Sequence, residues 1–168
     1  DASSLSNDLS EEQKNTLDKI KQEWTDKEVV LFHGVTSSGK TEIYVRLIEE
    51  TLKQGKQVLY LLPEIALTTQ VVSRIKKYFG DALGVYHSKF NENERVEVWN
   101  EVLKYKGTRD EGRGTNPKSI IHNPKFQVIL GARSALFLPF SNLGLVIVDE
   151  EHDASYKQFN PAPRYHAR

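Results

Sequence analysis

The sequence predicts an α/β fold built as three layers, a mostly parallel central sheet with helices over both faces. Three observations predict it. Apolar runs of four to six residues, bounded by glycine, proline or polar side chains, read as buried strands. Segments with apolar residues at helical spacing alternate with them, which is the pattern of βαβ units. A glycine-rich loop joins the first apolar run to the helix after it. The chain of 168 residues is 38% apolar and 27% charged, in the range of an ordinary globular domain.

Residues 1–8 are a polar linker. Ser10-Glu11-Glu12-Gln13 has capping-box spacing and Leu17, Ile20 and Trp24 recur at helical intervals, predicting an amphipathic helix over 10–24. Val29–Phe32 predicts a short buried strand, ended by Gly34. A helix follows over 40–53, with Ile43, Tyr44, Leu47, Ile48 and Leu52 on one stripe. Gln57–Leu62 is a second buried strand, stopped by Pro63. A helix over 65–79 turns Leu67, Val71, Val72, Ile75 and Phe79 inward. Leu83–His87 is a third strand. Asn91 opens another helix, with Val98, Val102 and Leu103 on its buried side. Residues 106–124 hold three glycines, two prolines and many charges, and predict an exposed insertion loop. Phe126–Leu130 and Leu143–Val148 are two further continuous apolar strands.

The formal net charge is zero, with 23 basic and 23 acidic side chains, but the charges are segregated. Residues 1–28 carry eight acids against four lysines, whereas 104–125 carries six basic side chains against two acids. The stretch 154–168 has no acid at all. Zero cysteines exclude a disulfide framework, a cysteine-ligated zinc and thiol catalysis within this chain. No apolar run reaches the roughly 20 residues of a membrane-spanning helix. With no methionine, a polar start at Asp1 and an end in Arg-Tyr-His-Ala-Arg, the sequence reads as a piece of a longer polypeptide.

Gly34-Val35-Thr36-Ser37-Ser38-Gly39-Lys40-Thr41 matches G-x-x-x-x-G-K-[ST] between a predicted strand and a predicted helix, the context this phosphate loop requires. Its glycines let successive backbone N–H groups point at phosphate oxygens from a helix N-terminus. Lys40 reaches the β- and γ-phosphates, and the Thr41 hydroxyl is a magnesium ligand. The fold is thereby narrowed to a P-loop NTPase. Leu145–Val148 delivers Asp149 and Glu150 to the carboxyl end of a strand, where ligands of parallel sheets bind. Asp149 fits the Walker B role of holding magnesium, and Glu150 that of orienting or deprotonating the attacking water. Lys40, Asp149 and Glu150 are therefore the catalytic candidates. No Asn/Thr-Lys-x-Asp guanine-reading motif is present, which favours ATP. A stand-alone nucleotide-binding or kinase domain without a DNA role is the alternative.

Asp149-Glu150-Glu151-His152 is a helicase form of Walker B. The run from Asp149 through Ser155-Tyr156-Lys157-Gln158 to Pro163-Arg164-Tyr165-His166-Ala167-Arg168 resembles the PriA family of primosomal replication-restart helicases, in superfamily 2. So do Leu62-Pro63-Glu64-Ile65-Ala66-Leu67-Thr68, Tyr86-His87-Ser88 and Gly131-Ala132-Arg133-Ser134-Ala135-Leu136-Phe137. The resemblance covers about residues 9–168 except the insertion at 106–124. It implies the first RecA-like lobe of an ATP-dependent 3′–5′ DNA helicase of replication restart, cytoplasmic and with no membrane role. Its partners would be single-stranded and forked DNA, primosome proteins and single-strand-binding protein. Zinc is expected only in the full-length protein, outside this chain.

Residue roles follow from that resemblance. Gln13 joins Gly34 to Thr41 as a nucleotide-binding candidate, reading adenine with its amide; its other reading is simply the capping-box partner of Ser10. Pro63, Glu64 and Thr68 correspond to a helicase element that touches single-stranded DNA, with Ser88 beside them. Arg133 and Ser134 correspond to a second strand-tracking loop, Arg133 pairing either a DNA phosphate or an internal acid. His152 is a candidate for coupling nucleotide state to DNA contacts. Residues 153–168 resemble an aromatic-rich loop, cut short at the C-terminal end. There Tyr156, Phe159 and Tyr165 would stack on bases while Lys157 and Arg164 follow the backbone.

Overall fold

The computed structural model describes residues 9–33, 39–87, 91–104, 125–158 and 164–166. The chain divides into two compact units, residues 1–49 and 50–168, with the boundary inside a helix.

The first unit contains α1 (Glu11–Glu23) and most of α2 (Lys40–Lys53). Ser10 caps α1 through both arms of the capping box, its hydroxyl accepting from the Gln13 N–H while the Gln13 side chain accepts from the Ser10 N–H. Leu17 and Ile20 are buried and Trp24, the C-cap, is partly exposed. The bounds of α2 coincide with those expected, and Ile43, Tyr44, Leu47 and Ile48 are buried along it. Val29–Phe32 is a correction: it is not a strand, and Val29 and Leu31 are 83% and 72% exposed. An apolar run becomes a buried strand only where a ladder partner takes up its N–H and C=O groups. Among the described residues nothing pairs with it. Phe32 nevertheless packs edge-on against Tyr44, with ring centroids 6.1 Å apart.

The second unit is built on a four-stranded, wholly parallel sheet. Its strands are β1 (Gln57–Leu61), β2 (Leu83–Tyr86), β3 (Val128–Gly131) and β4 (Leu143–Val148), in the order β2-β3-β1-β4. The α/β class is as expected. Every residue of β1 and β3 is buried, as central parallel strands require. The edge strand β4 buries only Leu145 and Ile147 fully, so the expected continuous burial fails there. Two helices accompany the sheet, α3 (Thr69–Phe79) and α4 (Glu92–Leu103). α3 starts later than the expected residue 65 because Thr68 is its N-cap, accepting from the Val71 N–H at 3.3 Å. Asn91 caps α4 with a second capping box completed by Glu94. Leu103, expected inside, is exposed, because the buried face of α4 runs through Val98 and Val102.

Leu59, Leu61, Ile129, Val98, Val102, Tyr86, Ala135, Leu138 and Tyr156 form one core cluster. The buried Gln57 is satisfied at the start of β1, its Oε1 accepting from the Ser141 and Asn142 N–H groups at 3.2 Å each. Of the basic segment 104–125 only the ends are described. Lys104 pairs with Glu101 at 3.0 Å and Lys125 with Glu97 at 2.7 Å. Glu97 holds the Lys125 ammonium above the usual lysine range, and Lys104 lowers the Glu101 carboxyl. Part of the positive charge read from the sequence is thus matched by α4. The chain ends in a small antiparallel ribbon, β5 (Lys157–Gln158) with β6 (Tyr165–His166).

Candidate functional site

Because all four sheet strands are parallel, the segments leaving their carboxyl ends share one edge. β1 leads into Pro63–Thr68, β2 into His87, β3 into Ala132–Ser134 and β4 into Asp149–Glu150. Four segments singled out separately in the sequence are thereby brought to the edge where ligands of parallel sheets bind.

Asp149 is the most closely held residue there. Its N–H donates to the Leu61 carbonyl at 3.0 Å, continuing the β4–β1 ladder one residue beyond the strand. One carboxylate oxygen accepts from the Glu150 N–H and the other from the Tyr60 hydroxyl, each at 3.0 Å. Its carbonyl accepts from the Tyr156 hydroxyl at 2.6 Å. Glu150 follows in the left-handed region, at φ 50°, with its side chain exposed. A non-glycine residue there costs on the order of 1–3 kcal/mol, and such strain gathers at functional sites. The Asp153 N–H donates to the Glu150 carbonyl at 2.9 Å and closes the turn. Asp153 then caps the next turn by accepting from the Ser155 N–H, and hydrogen bonds from Ser155 hold its carboxyl below the ordinary aspartate range. His152 is exposed on the same turn.

Tyr156 is a correction. Its ring is 0% exposed and belongs to the core cluster, so it is not displayed for stacking on a base. Arg133 is half-buried. One guanidinium nitrogen donates to the carbonyls of Ser155 at 2.9 Å and Lys157 at 3.0 Å, fastening the end of β3 to the start of the terminal ribbon. Ser134 is half-buried in the turn after Arg133. Gly131 is required where it stands, since a Cβ there would lie 2.6 Å from that of Ala135. Pro63 is also corrected: it is buried, its carbonyl accepting from Ala66 and Leu67, and its ring has no exposed face for DNA. Glu64 and Thr68 are exposed, as are Lys157 and Arg164. Tyr165 lies on β6. Ser88 and Phe159 fall outside the described residues. A groove of about 220 Å³ lined by Leu67, Thr69, Val72, Val85 and His87 runs beside the edge. It is smaller than the roughly 300–1,000 Å³ of a typical small-molecule pocket.

In the first unit, Gly39 has φ 72°, a backbone that suits glycine, and a Cβ there would strike the Gln13 side chain. The Gln13 Nε2 donates to the Gly39 carbonyl at 3.2 Å while its Oε1 accepts from Ser10. The capping partnership with Ser10 is therefore present. Gln13 also reaches the phosphate-loop motif, at its second glycine. Lys40 and Thr41, both half-buried, open α2, and Gly34, Val35, Thr36, Ser37 and Ser38 lie outside the described residues.

The sequence reading missed Tyr60, and it gave Ile65 and Phe137 no role of their own. Tyr60 sits between aliphatic neighbours in a buried strand, and a phenol there needs a hydroxyl partner, which was the available signal. Ile65 and Phe137 are exposed apolar side chains on the segments leaving β1 and β3. Among the described residues no cluster of three or more His, Cys, Asp or Glu side chains forms a metal cage, and no helix is long and apolar enough to cross a membrane. Magnesium uses one or two carboxylates together with phosphates and water, so a single carboxylate such as that of Asp149 fits it without a cage.

A parallel α/β sheet that ends in Asp-Glu, on a chain carrying a phosphate-loop motif, defines the P-loop NTPase class. The DEAD/DEAH box helicase family model matches residues 10–168, and the chain belongs to that family. It is 41% identical over 95% of its length to the replication restart protein PriA of Bacillus subtilis, covering 18% of that protein. It is 43% identical over 96% of its length to PriA of Chlamydia pneumoniae, covering 19%, and 46% identical over 83% to PriA of Haemophilus influenzae, covering 16%. The chain thus spans less than a fifth of the length of these relatives.

Proposed function

We propose that this chain is the first motor lobe of an ATP-driven DNA helicase acting in replication restart. The observation that carries the reading is the convergence of residues 63–68, 87, 132–134 and 149–150 on one sheet edge. Segments resembling DNA-contacting elements and the acids suited to hydrolysis leave neighbouring strands, so a shift in one is felt at the next. The similarity to replication restart proteins supports the cellular role; movement 3′ to 5′, a cytoplasmic setting, and primosome proteins and single-strand-binding protein as partners belong to the proposal.

In this reading Lys40 and the phosphate loop would hold ATP with Thr41 as a magnesium ligand, and Asp149 would be the magnesium-holding acid. Magnesium, when bound, neutralises charge on the phosphates. Glu150, carried outward by its left-handed backbone, orients the attacking water and takes its proton. Glu64, Thr68, Ser88, Ser134, Lys157, Phe159, Arg164 and Tyr165 are the residues through which single-stranded DNA is held, and His152 couples the two ligands. Arg133 serves the same surface from inside, by holding the backbone of Ser155 and Lys157.

Motor ATPases complete the transition-state charge with an arginine supplied from another lobe or subunit, worth roughly 10³–10⁵ in rate. Residues 1–168 alone are therefore expected to hydrolyse ATP at a small fraction of the rate of the full-length polypeptide, and only the latter should be stimulated by single-stranded DNA. Phosphate release, measured for both with and without a single-stranded oligonucleotide, tests the proposal. Brisk DNA-stimulated turnover by 1–168 would overturn the division of labour, and no stimulation of the full-length chain would overturn the motor itself.

Gln13→Ala should weaken ATP binding by roughly tenfold, the scale of a bidentate hydrogen-bonded contact, and abolish preference over GTP. It should also cost α1 about 0.5–1 kcal/mol through loss of the Gln13 arm of the capping box, while the Ser10 arm, which accepts from a backbone N–H, is kept. Competition binding with both nucleotides separates the two effects, since a capping defect alone weakens ATP and GTP equally.

A further inference from the structure

Tyr60 has no role in the reading above, yet its hydroxyl is bonded to the carboxylate on which that reading turns. It sits in the central strand, 2% exposed, and reaches Asp149 at 3.0 Å. Side chains alternate across a strand, so Tyr60 faces away from Leu59 and Leu61. Those two leucines share the core cluster with Tyr156. Two buried phenols therefore approach Asp149 from opposite faces of the sheet, one bonding its carboxylate and the other its backbone carbonyl.

We propose that Tyr60 is a positioning residue that fixes the plane of the Asp149 carboxylate for magnesium. The proposal rests on the reading of Asp149 as the metal-holding acid. With its second oxygen tied to the Glu150 N–H, the carboxylate has both ends anchored within the strand ends. Remove the Tyr60 hydroxyl and the carboxylate is held at one oxygen only, free to turn about its Cβ–Cγ bond. The cost falls on the metal, while the nucleotide itself, bound through the phosphate loop, is unaffected. Tyr156 provides an internal contrast, because its bond is to a carbonyl and leaves the carboxylate plane untouched.

The test uses the full-length polypeptide and a fluorescent ATP analogue, titrated with magnesium and separately in its absence. Tyr60→Phe keeps the ring and removes one oxygen. It should raise the half-saturating magnesium concentration roughly tenfold, the scale of a hydrogen bond to a charged group, with metal-free nucleotide affinity within about twofold of the parent. Tyr156→Phe should leave the magnesium requirement unchanged. A 3-fluorotyrosine at position 60 keeps a hydroxyl on the same ring and should keep the parent value, which guards against a packing defect in Tyr60→Phe. An unchanged requirement in Tyr60→Phe, or an equal shift in both Phe variants, overturns the proposal. Asp149→Asn distinguishes the two levels. If it removes the magnesium dependence while Tyr60→Phe does not move it, only the positioning role falls. If the parent shows no magnesium dependence, or Asp149→Asn leaves it intact, the assignment of Asp149 falls and this proposal with it.

Discussion

Glu150→Gln in the full-length polypeptide is expected to lower ATP turnover at least about 100-fold while nucleotide binding changes less than about threefold. The first figure is the lower end of what a positioned general base contributes. Glutamine matches glutamate in size and leaves the left-handed backbone as it is, so only the proton-accepting oxygen is lost. Phosphate release and equilibrium binding of a fluorescent nucleotide read the two quantities. Equal losses in both would mean a damaged site rather than a missing base, and an unchanged rate would remove Glu150 from the chemistry. The structure sharpens this expectation, because Glu150 is the one described non-glycine residue with positive φ. Its neighbour Asp149 is held at its amide, carbonyl and both carboxylate oxygens, while the Glu150 side chain is exposed.

The other large effect is on stability. Tyr156→Ala should destabilise the chain by about 3–5 kcal/mol, as truncation of a buried aromatic does, lowering the melting temperature by roughly 10 °C. Tyr156→Phe should cost only about 1 kcal/mol, for one hydrogen bond to the Asp149 carbonyl. Thermal and denaturant unfolding of the two variants would resolve the difference. Were the ring displayed for stacking on bases, Tyr156→Ala would leave unfolding unchanged and weaken only DNA binding. The burial of Tyr156 instead makes it the anchor for the terminal ribbon, beside which Lys157 and Arg164 are exposed.

These two residues show where the sequence was legible and where it was not. The bounds of α2, both capping boxes and the bounds of β4 follow from local patterns, because caps and periodicity are written within a few residues of one another. The acids at the end of β4 were legible for the same reason: an apolar strand can deliver them only to its carboxyl edge. Tyr156 and Arg133 were not. Whether an aromatic near a strand end points into the core or out depends on Leu59, Val98 and Ile129, all far from it in sequence. Arg133 found two backbone carbonyls, and a carbonyl leaves no mark in a sequence. Val29–Phe32 has every local feature of a buried strand, but pairing is a property of two segments. Tyr60 combined both difficulties, since its place in a strand was plain and its partner lay at the end of another.

The order of strands in the sheet also bears on how the chain is made. The central strand, residues 57–61, is wholly buried and hydrogen-bonded on both sides, by 128–131 and by 143–148. At synthesis rates of roughly 5–20 residues per second, Val-Leu-Tyr-Leu must wait several seconds or more for either neighbour to be translated. Pairing so distant in sequence is intrinsically slow, and an unpaired strand of this composition invites association with other chains. The arrangement that gathers four candidate segments at one edge thus leaves this strand exposed until residues 128–148 have emerged.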